Sequence, residues 1–371
     1  MSIRDTVIRT NCSFVKTIGA GIIRVVSESS LRSGIDTFQA GIFWLFGCIA
    51  LFIAGARFVC WRNGLNFSWI PEGLPTVFVF FFVVYYLVIG PLCILFCDIV
   101  NEIRDGRHRE LPKPLRVLLK EFTSRYCSSE YLLCGVIVYC LVYAVLIGYT
   151  NLKPAIPVLN TTLYDEILFR WDGRLLHVLS FGGAVSFPRH PLVTQFFDVI
   201  YYQMWALTCM TLVCSYRERL TFWRFSAAWC LAFGISIPIS VTFPSLGPAF
   251  YNPGLFEDIN NTVSYVDMQR LLDHYLSFKA NPLHTTIISG NGIVAMPSLH
   301  IALVYLSVIV LGKYFPGFRF LLWMFLFLFI MATMYLGWHY LSDGIAGILL
   351  GKLAYIISSR MFAERVLGRL E

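Results

Sequence analysis

Eight apolar runs, each about as long as a bilayer is thick, limit what this chain can fold into. They fall at about 38–58, 75–99, 130–150, 192–214, 222–243, 298–315, 318–337 and 340–359. A helix of about 20 apolar residues crosses the hydrocarbon core. Inside that core only helices and closed barrels satisfy their own backbone. The expected fold is therefore an all-α integral membrane protein with about eight transmembrane helices. Composition agrees, because 14% of the residues are charged, against about 25% in soluble domains. The sixth run is short and the last three are closely spaced, so the count leans on the charges between them.

Those charges are one-sided. The loop at 100–128 holds Arg104, Arg107, Arg109, Lys113, Arg116, Lys120 and Arg125, and the turn at 215–224 holds Arg217, Arg219 and Arg224. Lys313, Arg319, Lys352, Arg360, Arg365 and Arg369 follow in the same phase. With eight spans every cluster falls on one side, which the positive-inside tendency makes cytoplasmic together with both termini. The net charge of +7 is then a topology signal, and no nucleic-acid partner is needed to explain it. The 11 Cys lie mostly within apolar runs and lack metal spacing, so they read as small apolar residues. No metal and no cofactor is expected. The first 35 residues lack the apolar centre of a cleavable signal peptide, and residues 1–36 suit a basic helix on the membrane surface. The chain divides into residues 1–128, with that segment, two accessory spans and a basic loop, and residues 129–371, the catalytic part. Two long segments of the latter, 151–191 and 244–297, face outward. Short amphipathic helices are expected in them around Trp171 and from about Val263 to Phe278.

The chemistry concentrates where the outer segments meet the spans. The sequence MPSLH, Met296 to His300, ends a polar loop and begins the sixth apolar run. Pro suits the first position of a helix, and first-turn amides have no partner within the helix, so such a turn binds anions. Ser298 and His300 add a hydroxyl and an imidazole. The seventh run returns to the same face and ends in YLGWHYLSDG, Tyr335 to Gly344. His339 and Asp343, four apart, share a helix face. The carboxylate can accept the Nδ1 proton and leave Nε2 free as nucleophile or base. The plain alternatives are a Pro-capped helix with a stray His and an interfacial His with a capping Asp. Taken together, the two imidazoles, the carboxylate and the helix start suit phosphoryl transfer through a phosphohistidine. His339 would attack, Asp343 would steady the imidazolium, His300 would protonate the leaving oxygen, and Ser298 and the Leu299 amide would hold equatorial oxygens.

These residues carry a resemblance. MPSLH and GWHYLSDGIAG resemble the second and third signatures of the type 2 phosphatidic acid phosphatase superfamily, PSGH and SRxxxxxHxxxD. They are closest to the branch of inositol phosphorylceramide synthases and bacterial inositol-phosphotransferase-like proteins. The resemblance implies a helical-bundle core, a phosphohistidine intermediate and no metal, with His300 as general acid, His339 as nucleophile and Asp343 as its partner. The chain departs from the pattern at Leu299, where the phosphatases have Gly, and at Ala332 and Thr333, where they have Ser-Arg. The first signature, KxxxxxxRP, is absent; FPSLGPAFY, from Phe243, holds its place without a cation. A phosphate needs one, and Lys279 is the first candidate because it resembles a basic position of the synthase-like branch. Arg270 follows, then Arg170, Arg174 and Arg189. Asp165 and Asp172 are candidates for a polar headgroup, and His177, His190, His274 and His284 could line the cleft. The expected function is a phosphotransferase of the outer membrane face, moving a headgroup such as phosphoinositol from a phospholipid donor to a lipid or glycan acceptor. A bacterial inner membrane, with the site facing the periplasm, is the expected location. The alternatives are a lipid phosphate phosphatase, with water as acceptor, and a non-catalytic lipid-binding protein.

Overall fold

A computed structural model describes residues 39–106, 114–179 and 190–362. The segment 1–36, with its expected surface helix, and Arg189 lie outside the described residues, as does the side chain of His177. Among the described residues the chain is helical, with no strand. Seven helices are long and apolar enough to cross a membrane. These are α1 (Gln39–Arg62), α2 (Leu74–Ile103), α4 (Ser129–Leu159), α6 (Pro191–Ser215), α7 (Arg219–Thr242), α10 (Pro316–Tyr335) and α11 (Leu341–Met361). The sixth apolar run forms the shorter α9 (Leu299–Tyr314). At 16 residues it reaches about 24 Å, less than the hydrocarbon thickness. Three further helices of more than ten residues are α3 (Leu115–Tyr126), α5 (Asp165–Leu179) and α8 (Val263–Ala280). The last two are the short helices expected in the outward segments.

The short α9 is the centre of the bundle, in contact with α6, α7, α10 and α11. Ile301, Ala302, Val304, Leu306 and Val310 on it are fully buried. Glycine lets α11 close on it. A methyl group at Gly347 would lie 2.3 Å from the carbonyl oxygen of Ser298. That approach is available only where a side chain is absent. It sets the start of α9, and hence His300, directly against the first turns of α11, and hence Asp343.

α4 runs on where the sequence suggests a stop. Pro154 and Pro157 lie inside it, although each removes a backbone donor. Residues 151–159, expected in a loop, are thus helical. α2 is tied to α4 by a reciprocal pair: Tyr86 Oη donates to the Tyr131 carbonyl at 3.0 Å, and Tyr131 Oη to the Tyr86 carbonyl at 2.5 Å. The middle of α2, Phe81–Ile89, is wound as a π-helix.

The ends of the helices sort the charges. Arg217 pairs with Asp98 at 2.5 Å and Arg219 with Glu130 at 3.2 Å. Arg224 donates to the Phe362 carbonyl and Arg319 to the Gly312 carbonyl. All of these lie at the bundle end opposite the one where α9 and α11 begin.

Candidate active site

His300 stands in the first turn of α9, and His339 in the turn between α10 and α11. Three contacts shape that turn. Gly337 adopts a positive φ of 83°, and a side chain there would meet Phe256 and Ala249. The Trp338 amide donates back to the Thr333 carbonyl at 2.9 Å, and the Trp338 ring stacks on Tyr201 at 5.3 Å. The result brings the two imidazoles to one end of one cavity, with His339 Nε2 3.5 Å from His300 Nδ1. His300 Nε2 lies 3.4 Å from Tyr201 Oη.

The tautomer of His339 is fixed differently from the sequence expectation. Its Nδ1 lies 3.0 Å from the Ala295 carbonyl oxygen. A carbonyl only accepts, so Nδ1 carries the proton and, in the neutral ring, Nε2 carries the lone pair. Asp343 Oδ2 is 3.7 Å from the same nitrogen, near enough for its charge to act and too far for a hydrogen bond. That oxygen instead accepts the Tyr340 amide at 2.8 Å, capping α11, while Oδ1 is buried without a partner. The Ala295 carbonyl is itself held in place. Its amide donates to the Ser245 carbonyl at 2.8 Å, the Met296 amide donates to Ser245 Oγ at 3.1 Å, and Ser240 Oγ donates to the Met296 carbonyl at 2.8 Å. The PSLG stretch, expected to occupy the place of a cation-bearing signature, is thus a backbone brace for His339.

Ser298 is also committed. It is the N-cap of α9, and its Oγ accepts the Ile301 amide at 3.3 Å. Its own amide donates to the Asp343 carbonyl at 3.0 Å. Pro297 therefore precedes the cap instead of opening the helix; the Ser298 amide is spent on Asp343, and Ser298 does not line the cavity that Leu299 and His300 line. The first-turn amides of Leu299 and His300 remain without intrahelical acceptors. Leu299 lines the cavity.

The cations are redistributed. Lys279, near the end of α8, is exposed and does not line the cavity. Arg170 pairs with Glu166 at 2.5 Å on the exposed face of α5, and Arg174 is exposed. Arg270 lines the cavity but bonds Asp267 at 3.2 Å. The cation missed by sequence reasoning is Lys153. It projects from the continued part of α4, lines the cavity with both imidazoles, and has no carboxylate partner among the described residues. A cation in a membrane helix is costly unless it faces a polar site. That is the signal that could have found it, had the third span not been placed at about 130–150. Beside it, Asn291 Oδ1 and Trp338 Nε1, both of cavity-lining residues, are buried without hydrogen-bond partners.

Asp165 and Asp172, expected as headgroup ligands, are structural. Asp165 accepts the amides of Leu246 and Gly247 at 2.9 Å each and the Tyr340 hydroxyl at 3.0 Å. Asp172 accepts the amides of Leu341 and Ser342, capping α11. Burial raises both carboxyls above the ordinary carboxylate range, and the hydrogen bonds they accept oppose that shift. His190 caps α6 by accepting the Leu192 amide, His274 meets the Thr286 carbonyl, and His284 is exposed. Among the described residues no group of three or more His, Cys, Asp or Glu could hold a metal ion.

A family model described as the PAP2 superfamily matches residues 166–357, a little over half of the chain. The chain belongs to that superfamily, and membership points to activity of the phosphatase or phosphotransferase type on a membrane lipid. No curated protein and no solved structure matches significantly.

Proposed function

We propose that this protein is a membrane phosphotransferase that works through a phosphohistidine on His339. It moves a phosphorylated headgroup, such as phosphoinositol, from a phospholipid to the hydroxyl of a lipid or glycan. One observation carries the reading: two imidazoles 3.5 Å apart, one with its tautomer set by a braced carbonyl, share a cavity with a half-buried, unpaired lysine.

In the first half-reaction the Nε2 lone pair of His339 attacks phosphorus. The N–P bond forms as the P–O bond to the leaving lipid alcohol breaks, and His300 gives that oxygen a proton. In-line displacement puts the leaving oxygen on the far side of phosphorus from Nε2. Substrate must therefore come between the rings and replace their mutual contact. In the second half-reaction His300 takes the proton of the acceptor hydroxyl, whose oxygen attacks phosphorus as the N–P bond breaks. Asp343, 3.7 Å from Nδ1, stabilises the positive ring through space. Lys153 opposes the phosphate charge, the part expected of Lys279. It suits that part better than Arg270, whose charge is already offset by Asp267. The Leu299 and His300 amides hold the equatorial oxygens.

Residues 129–371 form the catalytic part, and residues 1–128 add accessory helices. The basic residues gathered at the far end of the bundle support cytoplasmic termini and a site on the outer face of a bacterial inner membrane. The motifs, with GWHY in place of the phosphatase pattern, favour the inositol phosphotransferase branch. The test uses purified protein in vesicles with phosphatidylinositol labelled at phosphorus and a lipid alcohol. Label is expected on the acceptor, and His339→Ala should abolish transfer with the helical circular-dichroism signal and melting profile unchanged. Label released as free phosphate would assign hydrolysis instead, and full turnover by His339→Ala would overturn the mechanism.

A further inference from the structure

The cavity does not end at the imidazoles. Its volume is about 300 Å³, and it continues as a shaft between α2, α4, α6 and α7 toward the opposite end of the bundle. On α4 its lining runs from Lys153 back to Val138, and on α6 from Tyr201 to Leu212. At 1.5 Å per residue these are depths of about 22 and 16 Å. Half the hydrocarbon thickness of a bilayer is about 15 Å. The shaft is therefore as deep, measured from the phosphate end, as a lipid chain is below its headgroup.

Its wall is suited to hydrocarbon. Val142, Leu146, Met204 and Phe233 supply apolar surface, and three hydroxyls among the lining residues are spent on the backbone, that of Tyr139 on the Phe81 carbonyl at 3.3 Å. Thr208 Oγ1 donates to the Met204 carbonyl at 2.8 Å, and Ser226 Oγ to the Phe222 carbonyl at 2.8 Å. The mouth is roofed by residues 289–294. That roof is fastened to the start of α2 by the Glu72 amide on the Ile287 carbonyl (2.9 Å) and the Ser289 amide on the Glu72 carbonyl (2.8 Å). Half of this compartment is built by α2 and α4, which lie outside the segment matched to the superfamily.

We propose that the shaft seats one hydrocarbon chain of the lipid substrate, and that Leu212, Phe225 and Trp229 at its floor limit the chain's length. The proposal rests on the phosphotransferase reading for the position of the headgroup, while its test does not depend on turnover. Phosphatidylinositol carrying a diazirine at the end of one acyl chain is incorporated into vesicles with the full-length protein and photolysed, and the adducts are mapped by mass spectrometry. Label is expected on shaft-facing residues such as Trp205, Leu212, Phe225 and Trp229. Leu146→Trp, which fills the shaft midway, should lower that label at least about tenfold. Label confined to outward residues such as Phe320, Phe327 and Leu349, in either protein, would overturn the proposal. Should Leu146→Trp fail to fold, the wild-type adduct map decides alone. Shaft label with no turnover by any donor would instead count against the phosphotransferase reading, and turnover dependent on His339 without shaft label would count against the shaft.

Discussion

The two ends of the cavity are built on opposite terms. At the corner that holds the two imidazoles almost every position is fixed by the backbone. The Ala295 carbonyl sets one imidazole, Gly347 admits the Ser298 carbonyl, and Asp165 and Asp172 clasp loops and a helix start through main-chain amides. In the shaft, side chains of four helices form a largely apolar wall, and the hydroxyls of Tyr139, Thr208 and Ser226 are spent on backbone carbonyls. The corner has geometry that tolerates no added atom. The shaft has volume and depth, which tolerate conservative exchange. The difference separates what a phosphorus centre demands, donors and rings held within tenths of an ångström, from what a hydrocarbon chain demands, which is surface.

Several substitutions would break or sharpen this contrast. The largest effect is expected for Lys153→Met, which removes the unpaired cation. Its kcat/KM should fall about a hundredfold or more, while Lys279→Met stays within about twofold of wild type. Equal losses for the two would return the cation question to α8. Next comes Gly347→Ala. One methyl pressed against the Ser298 carbonyl should cost about 1–3 kcal/mol of stability and lower turnover by displacing the start of α9. Ser226→Ala in the shaft should stay within about 0.5 kcal/mol in the same thermal melt. Comparable losses at the two positions would erase the distinction. Asp172→Ala, which uncaps α11, should cost about 1–2 kcal/mol. It should leave KM for the donor unchanged, since the carboxylate binds helix amides and not a headgroup; a raised KM would restore the headgroup role.

What was legible in the sequence follows the same division. Apolar runs and basic clusters define the spans, because both signals are local and periodic. His300, His339 and Asp343 stand out because polar groups at the ends of apolar helices are conspicuous. The partner of His339 Nδ1 was not readable, since i,i+4 spacing points to Asp343 whereas the nearer acceptor is the carbonyl of Ala295, 44 residues away in sequence. Lys153 was hidden because the third apolar run ends at about 150 and the next residues read as an outward loop, although the helix continues to Leu159. The roles of Asp165, Asp172 and Ser298 depend on amides brought from distant segments, a pairing that composition and spacing do not encode. The shaft, made by residues that individually look like ordinary membrane-helix surface, became visible only when four helices were placed around one volume.

The central claim is that His339 Nε2 bonds to phosphorus. The direct measurement mixes the purified protein with a turning-over donor lipid, quenches within a single turnover and maps phosphorus-bearing peptides by mass spectrometry. The account expects an adduct on His339 that forms before acceptor is added, disappears when acceptor is supplied, and is absent from His339→Ala. Turnover without that adduct, or the same adduct on His300 instead, would contradict it.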